Sequence, residues 1–122
     1  MTAKILINLS NHPSHLWSEK QKETALQFGN VEDLPFPMVD EDASAETVKD
    51  LALEYFEKIK SLGSAEDITI HVMGEQTFCF YFINEAKQQG YTCIASTSKR
   101  IVTDKENGQK EVTFQFCRFR EY

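Results

Sequence analysis

No apolar run in this 122-residue sequence approaches the roughly 20 residues that a membrane-crossing helix needs. The N-terminus has no basic start and small-residue cleavage pattern, so no signal peptide is expected. Cysteine is scarce. Cys79, Cys93 and Cys117 are odd in number and lack Cys-x-x-Cys spacing, which predicts reduced thiols rather than disulfides or metal ligands. These features together predict a cytoplasmic protein. Basic charge is also short, with 13 Lys/Arg against 19 Asp/Glu and a net charge of −6. That balance argues against a protein that coats DNA or RNA. The familiar chemical motifs are missing as well. There is no Gly-x-Gly-x-x-Gly after the first strand, no P-loop, no His-Glu-x-x-His and no Gly-x-Ser-x-Gly elbow. Without the glycine fingerprint no dinucleotide cofactor is expected, and with His12 and His15 on a loop without a nearby carboxylate no metal is expected either.

What is present is organised around Lys4–Pro13, KILINLSNHP. Ile5, Leu6, Ile7 and Leu9 form a short apolar run, broken by Asn8 and ended by Ser10-Asn11-His12-Pro13. Such a run predicts a strand buried on both faces of a parallel sheet. Open α/β sheets bind ligands at the carboxyl ends of their strands.

The rest of the chain alternates. Ser18 and Gln21 form a capping pattern ahead of a helix over Glu19–Phe28, stopped by Gly29. A second strand is predicted over Val31–Phe36. Ser44 caps a helix over Ala45–Leu62, whose Val48, Leu51, Ala52, Tyr55, Phe56 and Ile59 fall at helical spacing. Asp67–Met73 is a third strand. Gly74-Glu75-Gln76-Thr77 opens a helix that reaches Gln89, and its start, Phe78–Ile83, is apolar all round. A helix apolar on every side needs a second cover besides the sheet, which predicts a homodimer near this helix. Thr92–Ser96 is a fourth strand with Thr97-Ser98-Lys99-Arg100 as its tip. Arg100–Thr103 and Val112–Phe119 then form a hairpin around the Asn107-Gly108 turn signal. The order predicts a single α/β domain, a doubly wound Rossmann-like three-layer unit. Its mainly parallel sheet has order 2-1-3-4, with the C-terminal hairpin beyond strand four.

That topology brings three polar tips to one rim: Ser10-Asn11-His12, Gly74-Glu75-Gln76-Thr77 and Ser96-Thr97-Ser98-Lys99-Arg100. A glycine-opened helix start offers N–H groups to an anion. Hydroxyls and two cations arrive from the next strand. These are the parts of a phosphate or nucleotide site. The charge distribution agrees: residues 1–90 carry 7 Lys/Arg against 15 Asp/Glu, a balance of −8, while residues 91–122 carry 6 against 4, a balance of +2. His71, inside the third strand, reads as a buried or interface histidine. Trp17 reads as a packing residue, with stacking on a base as the alternative near the rim.

With the Asn-His tip, the Met-Gly-Glu turn and the Ser-Thr-Ser-Lys-Arg tip, the chain resembles the small CRISPR-associated proteins related to CARF domains. Some of that group are ring nucleases that bind and cleave cyclic oligoadenylates, second messengers of antiviral defence. The resemblance implies a homodimer with one ring bound across its two-fold axis by the strand tips. Cleavage would be metal-independent, by attack of a ribose 2′-hydroxyl on the adjacent phosphate. In that reading His12 moves a proton and Lys99 and Arg100 offset phosphate charge. Ser10, Asn11, Gly74, Glu75, Thr77, Ser96, Thr97 and Ser98 position the ring. The alternative is a nucleotide-binding module of the same fold that senses or sequesters without turnover.

Overall fold

The computed structural model describes residues 3–122. The strands are β1 (Ile5–Ser10), β2 (Asn30–Asp33), β3 (Ile68–Met73), β4 (Thr92–Asp104) and β5 (Lys110–Glu121). The helices are α1 (Glu19–Ala25), α2 (Ala45–Lys60) and α3 (Gln76–Gln88). The sheet has order β2-β1-β3-β4-β5. β1 pairs parallel with β2 and β3, β3 pairs parallel with β4, and β4 and β5 are antiparallel. This is the expected doubly wound α/β unit with its C-terminal hairpin.

Alternation along β1 sends its side chains to two different cores. Ile7 and Leu9 join Ile70 and Val72 under α2 and α3, where Phe56, Phe78 and Phe82 are fully buried. Leu6 faces the other way, toward α1, with Trp17, Ala25, Ile94, Phe116 and Phe119. Both capping expectations hold: Gln21 N–H donates to Ser18 Oγ and Thr47 N–H donates to Ser44 Oγ.

Four expectations need correction. α1 ends at Ala25, short of Phe28, in turns that lead to Gly29, where φ is +133°. A Cβ on Gly29 would lie 2.3 Å from the Lys4 carbonyl oxygen, so the chain passes β1 too closely for any side chain. β2 stops at Asp33, because the following Pro35 and Pro37 cannot continue a ladder. α3 is not in need of a second cover over most of its surface. Phe36 and Tyr55 pack edge-on against Phe78, Phe56 packs edge-on against Phe82, and Phe80 is the side chain left open, at 64% exposure. The largest correction concerns Thr97–Arg100. These residues are not a tip; they lie inside β4, which runs on to Asp104 paired with β5.

β4 pairs with β3 over Thr92–Ile94. From Thr97 to Asp104 it therefore leaves the sheet as one strand of a two-stranded arm, roughly 25 Å long at the usual rise per residue. Lys105–Gln109 closes the arm, with Gly108 at φ +79° and its N–H donating to the Lys105 carbonyl. A bulge opposite Thr97 and Ser98 leaves Cys117 without a β4 partner, exposed at the arm's base.

Gly74 ends β3 where the chain turns into α3. A Cβ there would sit 2.4 Å from the Phe36 ring. Gly74→Ala is therefore expected to cost about 1–3 kcal/mol by forcing that ring aside. Urea denaturation reads the loss. A Phe36→Leu background should shrink it, and an equal loss in both backgrounds would contradict the clash.

Candidate functional site: the rim at the carboxyl ends of β1 and β3

β1 leads through α1 to β2 on one side, and α2 returns the chain to β3 on the other. The order reverses between β1 and β3, and at such a switch point the crevice beyond the strand ends is a ligand site.

The β1 end is fixed by a polar network that sequence reading missed. Asn8 is 1% exposed and is level in register with Asp33 on β2 and His71 on β3. Its Nδ2 donates to Asp33 Oδ1 at 2.8 Å and to the His12 carbonyl at 3.0 Å. Its Oδ1 accepts from Ser10 Oγ at 2.8 Å and from His71 Nδ1 at 2.9 Å. Trp17 Nε1 also donates to the His12 carbonyl, and His12 N–H donates to Ser10 Oγ. The Ser10–His12 turn is thus held from below, while the Asn11 and His12 side chains stand exposed on the rim. Ser10, 6% exposed, is a support of this turn.

Asp33 also accepts from Ser14 N–H and Ser14 Oγ. Partial burial pushes its carboxyl up, but the hydrogen bonds from Asn8 and Ser14 outweigh this and hold it below the usual carboxylate range. His71 is 2% exposed, with Trp17 and Phe119 edge-on to its ring. Because Asn8 Nδ2 is committed as a donor, the proton of His71 sits on Nδ1. Nε2 is buried with no hydrogen-bond partner among the described residues. Burial, with a smaller contribution from His12, pulls His71 from 6.5 down to about 4.

That shift has a direct consequence. The unfolded chain takes up this proton near pH 6.5, and the native chain resists until about pH 4. The stabilisation is complete above the upper value and is lost as pH falls through the window, by about 3 kcal/mol. Urea midpoints near neutrality and near pH 4 measure it. His71→Phe, which keeps a ring between Trp17 and Phe119, should flatten the dependence, and an unchanged slope would contradict it.

The β3 end differs from expectation. The Glu75 carboxylate caps α3, accepting from Thr77 N–H at 3.1 Å, Phe78 N–H at 2.8 Å and Thr77 Oγ1 at 2.6 Å. The Thr77 hydroxyl, and then the Phe78 N–H, hold this carboxyl below its ordinary value. Two of the N–H groups at this helix start, those of Thr77 and Phe78, are therefore already occupied. Gly74 serves close packing against Phe36. Ser96 meets the rim through Met73, with its N–H and Oγ at 3.3 and 3.0 Å from the Met73 sulfur. Thr97 Oγ1 donates to the Arg118 carbonyl. Ser98, Lys99 and Arg100 are exposed, out on the arm.

Lys99 and Arg100 do not form one cluster. Paired residues share a face, so Arg100 goes with Phe114, and Ser98 with the buried Phe116 on the α1 side. Lys99, level with Gln115, points to the opposite face. Neither cation is in an ion pair among the described residues.

Two depressions flank the rim. A small one of about 220 Å³ lies between the β1 and β2 ends, lined by Asn8, Ser10, Asn11, Asp33 and Phe36. A larger, mainly apolar groove of about 480 Å³ runs from Met73 and Gly74 along α3, past Gln76, Phe80, Ile83 and Asn84, to Tyr122. Tyr122 is anchored there: its hydroxyl donates to the Val72 carbonyl and its own carbonyl accepts from Lys87 Nζ.

Cys79 and Cys93 are buried free thiols, and Cys117 is an exposed one. Burial pushes Cys79 up to about 11 and Cys93 up to about 12, so neither is a nucleophile near neutrality. Among the described residues no group of three His, Cys, Asp or Glu side chains is arranged to hold a metal. None of the helices described is long and apolar enough to cross a membrane.

Sheet order and rim together define a doubly wound α/β domain with a switch-point crevice and a projecting β-arm. Within that class, the chain belongs to the uncharacterized protein MJ1673 family, whose model matches residues 4–120. No curated protein and no solved structure matches it.

Proposed function

We propose that this protein is a ring nuclease that binds a cyclic oligoadenylate at the β1/β3 rim and opens it without a metal. The observation that carries this reading is the Ser10–His12 turn. It stands at the switch point, is pinned through its backbone by Asn8 and Trp17, and presents the Asn11 and His12 side chains outward. The groove along α3 supports the same reading. It begins at Gly74 on the rim and is apolar, with the Gln76 and Asn84 amides at its wall, as a planar base next to a rim-bound phosphate requires.

In the reaction, a ribose 2′-oxygen forms a bond to the adjacent phosphorus and the bond from phosphorus to the 5′-oxygen breaks. The proton leaving the 2′-hydroxyl is matched by one delivered to the 5′-oxygen. The product is a linear oligonucleotide with a 2′,3′-cyclic phosphate and a 5′-hydroxyl, and no water is consumed. His12, exposed on the rim, takes and returns that proton. Such general catalysis contributes on the order of 10²–10⁴ in rate. Lys99 and Arg100, on opposite faces of the arm, offset the phosphate charge of the ligand, one of them at the scissile phosphate. A cytoplasmic homodimer in a CRISPR-associated defence pathway is the setting this ligand implies.

One observation favours the second reading, capture without turnover. The α3 N-terminus is closed by Glu75, so a ligand there meets a carboxylate before it meets free N–H groups. Filter retention of labelled cyclic oligoadenylates, followed by separation of ring from linear product, tells the two apart. Loss of ring with linear product supports the nuclease, and retained intact ring supports the capture module. Neither retention nor cleavage would reject both.

A further inference from the structure

The arm is not accounted for by its own subunit. Phe116 packs the base of the arm into the α1-side core, but beyond the Ser98–Phe116 pair the arm is two strands only among the described residues, and a two-stranded ribbon is marginal in water without a third strand or a packed face. One of its faces carries Val102, Val112 and Phe114, exposed at 44%, 43% and 70%. Its charge is opposite to that of the body. Residues 97–118 hold Lys99, Arg100, Lys105, Lys110 and Arg118 against Asp104, Glu106 and Glu111, a balance of +2, while residues 1–90 stand at −8. The loop that leaves the rim after β2 exposes Asp40, Glu41 and Asp42 beside a fully open Met38.

The rim, for its part, has no cation of its own on β1, β2 or β3. No Lys or Arg occurs in residues 5–19, 23–48 or 61–86, the stretches that contain those three strand ends. Ser96 is level with the end of β3. Lys99 and Arg100 are three and four residues further out, roughly 10–13 Å past the rim. At that distance they are beyond a ligand lying on that rim.

We propose that two copies of this chain meet rim to rim and exchange arms. The Val102–Val112–Phe114 face of each arm packs on the partner, near the partner's acidic loop after β2. Its Lys99 and Arg100 complete the partner's ligand site. A two-fold axis makes the exchange reciprocal, so each site is a rim from one chain and cations from the other. The second half of this inference rests on the proposed function; the arm contact does not.

Light scattering tests the contact without any ligand. The parent chain should have twice the 14.0 kDa mass at micromolar concentration. Phe114→Glu should be a monomer with unchanged circular dichroism, since the side chain is exposed within its own subunit. A monomeric parent, or a Phe114→Glu protein that stays dimeric, would overturn the exchange.

Mixing tests the shared site. A Lys99→Ala/Arg100→Ala chain and an Asn11→Ala/His12→Ala chain should each fail to retain cyclic tetra-adenylate. Mixed dimers should recover retention, because one of their two sites has an intact rim and an intact arm. If the cations act on their own rim, no site in the mixture is whole, and absence of recovery would overturn the trans arrangement. A parent that retains no cyclic oligoadenylate would remove the shared site together with the proposed function. Light scattering would still decide the arm contact.

Discussion

Asn8→Ala is expected to cost about 3 kcal/mol of stability and to abolish ring binding. Asn8 is buried and is the common partner of Asp33, His71, Ser10 and the His12 carbonyl. Removing it leaves the His71 Nδ1–H without an acceptor, while Nε2 already has no partner. Each buried polar group left unpaired costs roughly 1–3 kcal/mol, and the missing side chain adds a small cavity. For a chain of this size the loss lowers the melting temperature by about 10 °C. The functional effect has a separate cause. Without Asn8, only Trp17 and Ser10 still hold the His12 carbonyl, so the turn carrying Asn11 and His12 is no longer fixed. A thermal melt, and ring retention measured at low temperature where the variant is folded, separate the two effects. A variant that melts and binds like the parent would show that the network is not the rim's support.

The second large effect is on the arm. Lys99→Ala and Arg100→Ala, made singly, should leave stability within about 0.5 kcal/mol, because both side chains are exposed and in no ion pair among the described residues. Cleavage should respond unequally. The two residues point to opposite faces of the arm, so only one can reach a given scissile phosphate. Loss of a donor that acts on the transition state costs about 10²–10³ in rate. The other cation, acting only as a distant attractor, should give a smaller effect that fades with added salt. Two equal, salt-sensitive losses would mean general attraction. No loss from either would remove the arm from the site.

Strand and helix order was legible because buried parallel strands are short apolar runs, and Ser18 and Ser44 mark helix starts. The arm was not. Thr97–Arg100 reads as a loop because all four residues are polar and the apolar side chain that buries this face, Phe116, comes from β5, so β4 itself shows no apolar alternation there. Glu75 was misread for a related reason. Gly-Glu-Gln-Thr has the composition of an anion-binding turn, and only the fold shows the carboxylate folded back onto Thr77 and Phe78. α3 looked uncovered because Phe36 and Tyr55, which cover it, come from a distant loop and from α2. The Asn8 network did leave a trace. ILINLS and ITIHVM are each broken by one polar residue at matching depth, and neighbouring buried strands with matching interruptions form a hydrogen-bonded pair. Asp33 completes the row from a strand too short to show a pattern.

The claim that this rim opens a cyclic oligoadenylate is tested most directly by incubating the purified protein with labelled rings of increasing size in a metal chelator. The account predicts that one ring size is converted to a linear product ending in a 2′,3′-cyclic phosphate, and that His12→Ala slows the conversion about 10²-fold or more. Rings that remain intact and unbound at every size would contradict it.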